Sequence, residues 1–290
     1  MSRIAATCTG FLMKAGRVFH RLLPAGVASR LQSVVRRHLI PSGSAWVQVQ
    51  RGFAEDLWIQ IDLASERTWW AGSHEPTLQR ILQRLIAPGV VFFDVGAHIG
   101  FFSLPAARAG ARVVALEPDP ENAARLRAHV DRNHLEGRIQ VVEAALWSRS
   151  ASTVSFRRGV TRSQGGVAES EYRPVIATGP TIQVASVTLD DLVGGGAPDP
   201  AIVKIDVEGT AGQLLAGAIV TVRRCSPLLI VEVHTRQENE ALTAFLQPLS
   251  YDTLWDIPPQ QFPRQCYAFP SHTPAGHRWQ STIHDVLQGT

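Results

Sequence analysis

The stretch VVFFDVGAHIGFFSL, Val90 to Leu104, decides the fold of this chain. An apolar run that meets Asp94 has the length of a buried strand, and apolar residues return at helical spacing after Gly100. Gly96 and Gly100 stand at the crossover, where glycine permits a tight turn and a close backbone approach to a ligand. A strand passing into a helix this way presents backbone N–H groups, those of Ala97 and His98 among them, to which a negative group is attracted.

Outward from this crossover the strand–helix unit repeats. Strands are predicted over Val90–Val95, Arg112–Glu117, Arg138–Ala144, Ala201–Val207 and Leu228–Val233. Helices are predicted over Gly100–Ala109, from Pro120 to before Gly137, and as one helix carrying Leu214, Leu215, Ala218 and Val222. Thr235 to Glu238 has the pattern of a capping box. Tyr251–Ile257 and Gln265–Phe269 read as a closing pair of strands. Apolar strands alternating with amphipathic helices imply a doubly wound, mostly parallel α/β sheet covered on both faces.

Composition sets the outer limits. The chain has 290 residues and three cysteines, Cys8, Cys225 and Cys266, with no CxxC pair, which fits a reducing compartment and a cytoplasmic location. Seven basic residues and no acidic one precede Arg51, while the whole chain carries +3, so the remainder carries −4. Nucleic acid is therefore not the expected partner, since phosphate binding needs a basic face on the working domain. Residues 1–44 read as a basic amphipathic arm with Val27, Leu31, Val34, Val35 and Leu39 at helical spacing. It either packs on its own domain or a second copy, as a homodimer, or makes peripheral contact with an anionic membrane. No secretory signal is expected, because the apolar run from Ile4 to Met13 is short and interrupted.

The remaining division is a β-hairpin lead-in over 45–75, a main domain over 76–275 and a tail over 276–290 with little pattern. Glu75-Pro76 opens a helix with Leu78, Ile81, Leu82 and Leu85 on one face, Glu75 being expected to cap it. Short alternating runs around Val154, Phe156 and Val184 flank a polar loop, 157–178, read as shaping a pocket.

In a doubly wound sheet, ligands collect beyond the carboxyl ends of the strands at the switch point. The residues there are Asp94, Glu117, Glu143, Asp206, Glu208, Glu232 and His234. The dinucleotide fingerprint GxGxxG is absent because residue 98 is His, and Asp94 would repel a diphosphate. A ligand with both a carboxylate and an ammonium fits better, and S-adenosylmethionine (SAM) is one. On this reading Asp94 takes the ammonium and the turn around Gly96, Ala97, His98 and Gly100 takes the carboxylate. Glu117 accepts the ribose hydroxyls, and Glu143-Ala144 borders the adenine.

The segments FDVGAHIGFFSL, VVALEPDPENAARLRAHV, VTLDDL, IVKIDVEG and LLIVEVH, with WAGSHEPTLQRIL before them, resemble the FkbM-type family of SAM-dependent methyltransferases over about residues 68 to 270. The resemblance implies a Rossmann-like class I fold, seven strands with the last antiparallel, and O-methylation of a hydroxyl on a saccharide, glycolipid or secondary metabolite. The family usually has Asn at the position of His98, and EGAE where this chain reads Glu208-Gly209-Thr210-Ala211.

Methyl transfer needs an acceptor oxygen held in line and a group to take its proton. Asp206 or His234 is expected as that base, with Glu208 orienting a small-molecule or glycan acceptor. No metal is assigned on this reading. The alternative is a divalent cation held by Asp206, Glu232 and His234, a suitable mix of carboxylate and imidazole. Two other functions share the architecture: a catalytically silent binding or scaffold protein, and an NAD(P)-dependent oxidoreductase. Lys204, inside an apolar strand, is expected to pair with a strand-end acid.

Overall fold

The computed structural model describes residues 44–62, 65–159, 165–167, 179–258 and 260–289. The amphipathic arm, apart from Ser44, and much of the 157–178 loop lie outside the described residues. Residues 44–51 with Glu55–His74 form one unit. In it β1 (Ser44–Gln48) and β2 (Trp58–Asp62) pair antiparallel, and α1 (Arg67–Trp70) follows. Val47, Val49, Ile59 and Ile61 are buried, as the alternation requires.

The second unit holds Gly52–Ala54 and the chain from Glu75 onward. Its elements begin with α2 (Pro76–Leu85), β3 (Val91–Val95), α3 (Ser103–Arg108), β4 (Arg112–Leu116), α4 (Pro120–Arg132) and β5 (Ile139–Val142). An inserted group follows: β6 (Ala145–Leu146), β7 (Ser152–Arg158), β8 (Gly165–Val167), β9 (Thr181–Val187) and α5 (Leu189–Gly194). The chain then returns with β10 (Ile202–Ile205), α6 (Ala211–Leu215), α7 (Ile219–Cys225), β11 (Leu228–Val233), α8 (Arg236–Leu246), β12 (Tyr251–Trp255), β13 (Arg264–Pro270) and α9 (Pro274–Leu287).

The seven-stranded sheet runs β5-β4-β3-β10-β11-β13-β12. Its strands are parallel from β5 through β11, and β13 is antiparallel to both neighbours. Strand order reverses between β3 and β10, so the cleft beyond their carboxyl ends is the switch point. Strand parity sorts the two faces. Phe93, Val95, Val203, Ile205, Val231, Val233 and Ala268 share one apolar cluster with Leu189, Leu214, Val222 and Leu242. The other parity carries Phe92, Ile202, Ile230 and Phe269, together with Asp94, Lys204, Glu232, Gln265 and Tyr267. That polar stripe crosses four adjacent strands. On the same side α9 packs on α2 and β13.

Four expectations change. First, α3 starts at Ser103 rather than Gly100, because residues 97–102 are taken up in turns. Second, the helix expected across residues 211–225 is two helices. A Cβ at Gly217 would lie 2.5 Å from the Trp147 carbonyl oxygen, so the chain presses there on the inserted sheet and breaks. Asp190 then caps α7, accepting from the N–H groups of Val220 and Thr221 at 3.1 and 2.7 Å. Third, the alternating runs of the 151–187 stretch build a second sheet, β6-β9-β7-β8. Fourth, the patternless tail is largely α9, which crosses the 275/276 boundary. Thr273 Oγ1 caps it by accepting from Gly276 N–H at 2.9 Å, and Ile283 and Val286 are buried. Among the described residues, no helix is long and apolar enough to cross a membrane.

Thr235 and Glu238 form the expected capping box. The Glu238 carboxylate does more than close it: Oε2 accepts from His234 N–H at 2.7 Å and Oε1 from Ala211 N–H at 2.9 Å. One buried carboxylate thus starts two helices. Glu238→Ala is expected to lower stability by about 2–4 kcal/mol, since several buried donors lose their acceptor. A urea unfolding series on the purified protein checks this, with Glu238→Gln expected to lie between the two.

Candidate active site

The strand ends meet at a buried charge pair. Asp94 is fully buried at the end of β3, and Lys204, 3 % exposed, stands beside it in register on β10. Lys204 Nζ lies 3.3 Å from Asp94 Oδ1 and 3.5 Å from Asp206 Oδ2. Ser103 Oγ donates to Asp94 Oδ2 at 2.6 Å. Burial works against the ammonium, but Asp94 and then Asp206 outweigh it and hold the Lys204 pKa above its ordinary value. Asp94 therefore balances a lysine inside the sheet and does not line the cleft. The direct grip on an ammonium expected of it is corrected accordingly.

The glycine turn is also used differently. Gly96 has φ +74°, and a Cβ there would lie 1.9 Å from the Asp206 carbonyl oxygen, so this glycine lets β3 and β10 exit side by side. The N–H groups of Gly96 and Ala97 donate to the Leu116 carbonyl, His98 N–H to Glu117 Oε2, and Gly100 N–H to the Ala97 carbonyl. These four amides serve the turn itself, not an incoming carboxylate. Gly100 backs onto Leu126. His98 sits at φ +50°, a left-handed conformation in which Asn and His are enriched. His129, buried on α4, pins the turn further, its Nδ1 lying 2.9 Å from the Ile99 carbonyl oxygen.

A cleft with about 730 Å³ of empty space, its open mouth included, lies beyond these strand ends. Of the residues expected to bind a cofactor, Gly96, His98, Glu117 and Ala144 line it; Asp94, Ala97, Gly100 and Glu143 do not. Glu143 is instead paired on the surface with Arg127 at 2.7 Å. Glu117 is 4 % exposed and accepts from His98 N–H at 2.7 Å and Asp119 N–H at 2.9 Å. Burial pushes its pKa up to about 7, with the two backbone donors holding it from rising further. Apolar walls from Leu116, Pro118, Leu146, Phe156 and Val167 continue from Glu117. Phe156 comes from the inserted sheet and has no signal of a cleft residue in the sequence, whereas Val167 lies in the 157–178 stretch read as shaping a pocket.

Asp206 and Glu208 also line the cleft, from the exit of β10. Glu208 follows β10 at φ +28°, a strained conformation for a residue with a side chain. Its pKa is pushed up to about 7 by burial, then by Asp206 and Glu238. His234 lies behind it, Nε2 being 3.6 Å from Glu208 Oε2 and 3.9 Å from Glu232 Oε2. Asp206, Glu232 and His234 bring one potential ligand atom each to within 4.8 Å of one another. Burial raises the Glu232 pKa strongly, and the neighbouring Asp206 carboxylate raises it further. Glu75 does not cap its helix. Its carboxylate accepts from Gln265 Nε2 at 2.7 Å and acts electrostatically on Lys204 and Glu232.

A neutral residue at position 94 strands a buried lysine. Asp94→Ala is expected to lower stability by about 3–5 kcal/mol, the typical loss on breaking a buried pair. Thermal or urea unfolding of the ligand-free protein measures it; an unchanged midpoint contradicts the structural role of the pair.

Comparison with known proteins places the chain in a family. The family model described as the Methyltransferase FkbM domain matches residues 94–254, more than half of the chain. The 31-O-demethyl-FK506 methyltransferase FkbM of Streptomyces tacrolimicus is 28 % identical over 212 residues, covering 64 % of this chain and 77 % of that one. The hexuronic acid methyltransferase AglP of Haloferax volcanii is 25 % identical over 207 residues, covering 69 % and 75 %. A solved methyltransferase FkbM from Methylobacillus flagellatus KT aligns with a TM-score of 0.44 at 21 % identity, over 62 % of this chain and 43 % of that one, so the chain spans under half of that protein. The chain belongs to the FkbM family of SAM-dependent methyltransferases and carries its class I α/β fold.

Proposed function

We propose that this enzyme methylates a hydroxyl oxygen of a saccharide, glycolipid or secondary metabolite. The observation that carries the reading is one cleft lined both by the Glu117 carboxylate with apolar walls, from the exit of β4, and by Asp206 and Glu208 from the exit of β10, His234 standing behind Glu208. The names of two relatives support an oxygen acceptor and a sugar-like one, 31-O-demethyl-FK506 and hexuronic acid being what those proteins are named for.

The chain's residues fit SAM without the grip first expected of Asp94. Glu117 presents a carboxylate suited to a ribose diol, and the apolar walls beside it suit an adenine. Asp206 suits the cationic end of the molecule. When bound, SAM supplies an electrophilic methyl group on a sulfonium. The acceptor hydroxyl is then held beyond the end of β10, with Glu208 taking its proton. Glu208 lines the cleft, and His234 orients it from behind. This assignment exchanges the roles expected from the sequence, because Asp206 is tied to Lys204 and His234 stands back from the cleft.

The group Asp206, Glu232 and His234 also fits a divalent cation, having mixed oxygen and nitrogen donors in one place. Held there, the ion would polarise the acceptor oxygen.

Three outcomes test this reading. S-adenosylhomocysteine (SAH) titrated by calorimetry should bind the wild type, and Glu117→Gln should weaken it about 10- to 100-fold. The ionised Glu117 carboxylate is the form that accepts a diol, and its pKa is raised to about 7. Affinity should therefore fall about tenfold per unit as pH drops below 7 and level off above it, a dependence lost in Glu117→Gln. Glu208→Gln should keep SAH affinity and lower methyl transfer to a hydroxyl acceptor about 10²- to 10⁴-fold. Mn²⁺ titrated into the protein should bind, with His234→Ala weakening it at least about tenfold; no heat of binding in the wild type discards the cation.

A further inference from the structure

We propose that the β7–β8 hairpin of the inserted sheet is the outer wall of the adenosine subsite, and that Arg158 is the residue that positions it. The proposal rests on the SAM reading and assigns residues that the family motifs do not contain. Phe156 and Val167 are register partners across the hairpin, each about 6 % exposed, and both line the cleft. They face the same space as Leu146 and the Glu117 carboxylate. A slot with apolar walls and a diol acceptor at its edge takes a flat, uncharged heterocycle joined to a sugar.

Arg158 lies two residues beyond Phe156, so its side chain leaves β7 on the same face. It reaches the first turn of α4. Its Nε and Nη2 meet the two oxygens of Asp119 at 2.7 and 2.8 Å, and Nη1 meets Glu121 Oε1 at 2.7 Å. The hydrogen bonds are those from Nη2 to Asp119 and from Nη1 to Glu121, and a guanidinium held by two carboxylates is fixed in direction as well as distance. Asp119 is also the residue whose N–H donates to Glu117 Oε1 at 2.9 Å. One arginine therefore joins the wall for the base to the support of the ribose carboxylate. Removing it should loosen both halves of the adenosine subsite and leave the Asp206 end untouched.

Two ligands separate the halves of the cleft: SAH, and 5′-methylthioadenosine, which lacks the amino-acid part. Phe156→Ala should weaken both by the same factor, about tenfold, the size of one aromatic contact. Arg158→Met should also weaken both equally and speed SAH release in stopped flow, with Arg158→Lys intermediate because it keeps charge but not the fork. Asp206→Asn should weaken SAH alone. Melting curves of the ligand-free variants establish that each is folded, and Val167→Ala replaces Phe156→Ala if the latter is not. The proposal is overturned if the folded hairpin variants bind both ligands within about twofold of wild type, or lose affinity for SAH only. A wild type that binds neither ligand instead overturns the cofactor reading beneath it.

Discussion

The site depends on a lysine ammonium buried between two carboxylates. Lys204, Asp94 and Asp206 meet at the ends of β3 and β10, and losing either member of the buried Asp94–Lys204 pair leaves its partner's charge inside the sheet. The pair fixes the separation of the strand ends and brings the Asp206 carbonyl against Gly96. The segments leaving both strands inherit that geometry: Asp206 and Glu208 at the exit of β10, and the turn after β3 that carries His98 toward Glu117. The functional cleft is thus the opening left by a sheet whose strands are fixed by charge at one end and by apolar packing along the rest.

The central sheet was legible in the sequence because each strand is a continuous apolar run and each following turn has its own punctuation. Thr235 with Glu238, Asp119 with Pro120, and the glycines after β3 announced themselves locally. The partners of the strand-end acids did not. Asp94 and Lys204 are 110 positions apart in sequence, and only the register of β3 on β10 brings them together. Glu143 looked equivalent to Glu117 by position, yet β5 is the edge strand, where Arg127 on α4 can draw it to the surface. Glu117 in contrast follows an interior strand and is enclosed.

The inserted sheet and α9 were hidden for different reasons. The alternating runs in the 151–187 stretch are short, and the pairing of β7 with β9 spans a long excursion that no local pattern encodes. α9 has a readable start in Thr273-Pro274, but its apolar face is sparse, with Ile283 and Val286 its chief buried contacts. The consequence for the site was larger in the first case. Three of the five apolar wall residues that accompany Glu117, namely Leu146, Phe156 and Val167, come from the inserted sheet.

Strand order has a further implication, for biogenesis. β13 lies between β11 and β12 although it leaves the ribosome after both. Until residues 264–270 emerge, β11 presents an unpaired hydrogen-bonding edge and β12 has no ladder to join. A nascent chain stalled in that interval offers a long apolar template to its neighbours, the circumstance in which chaperone capture competes with aggregation.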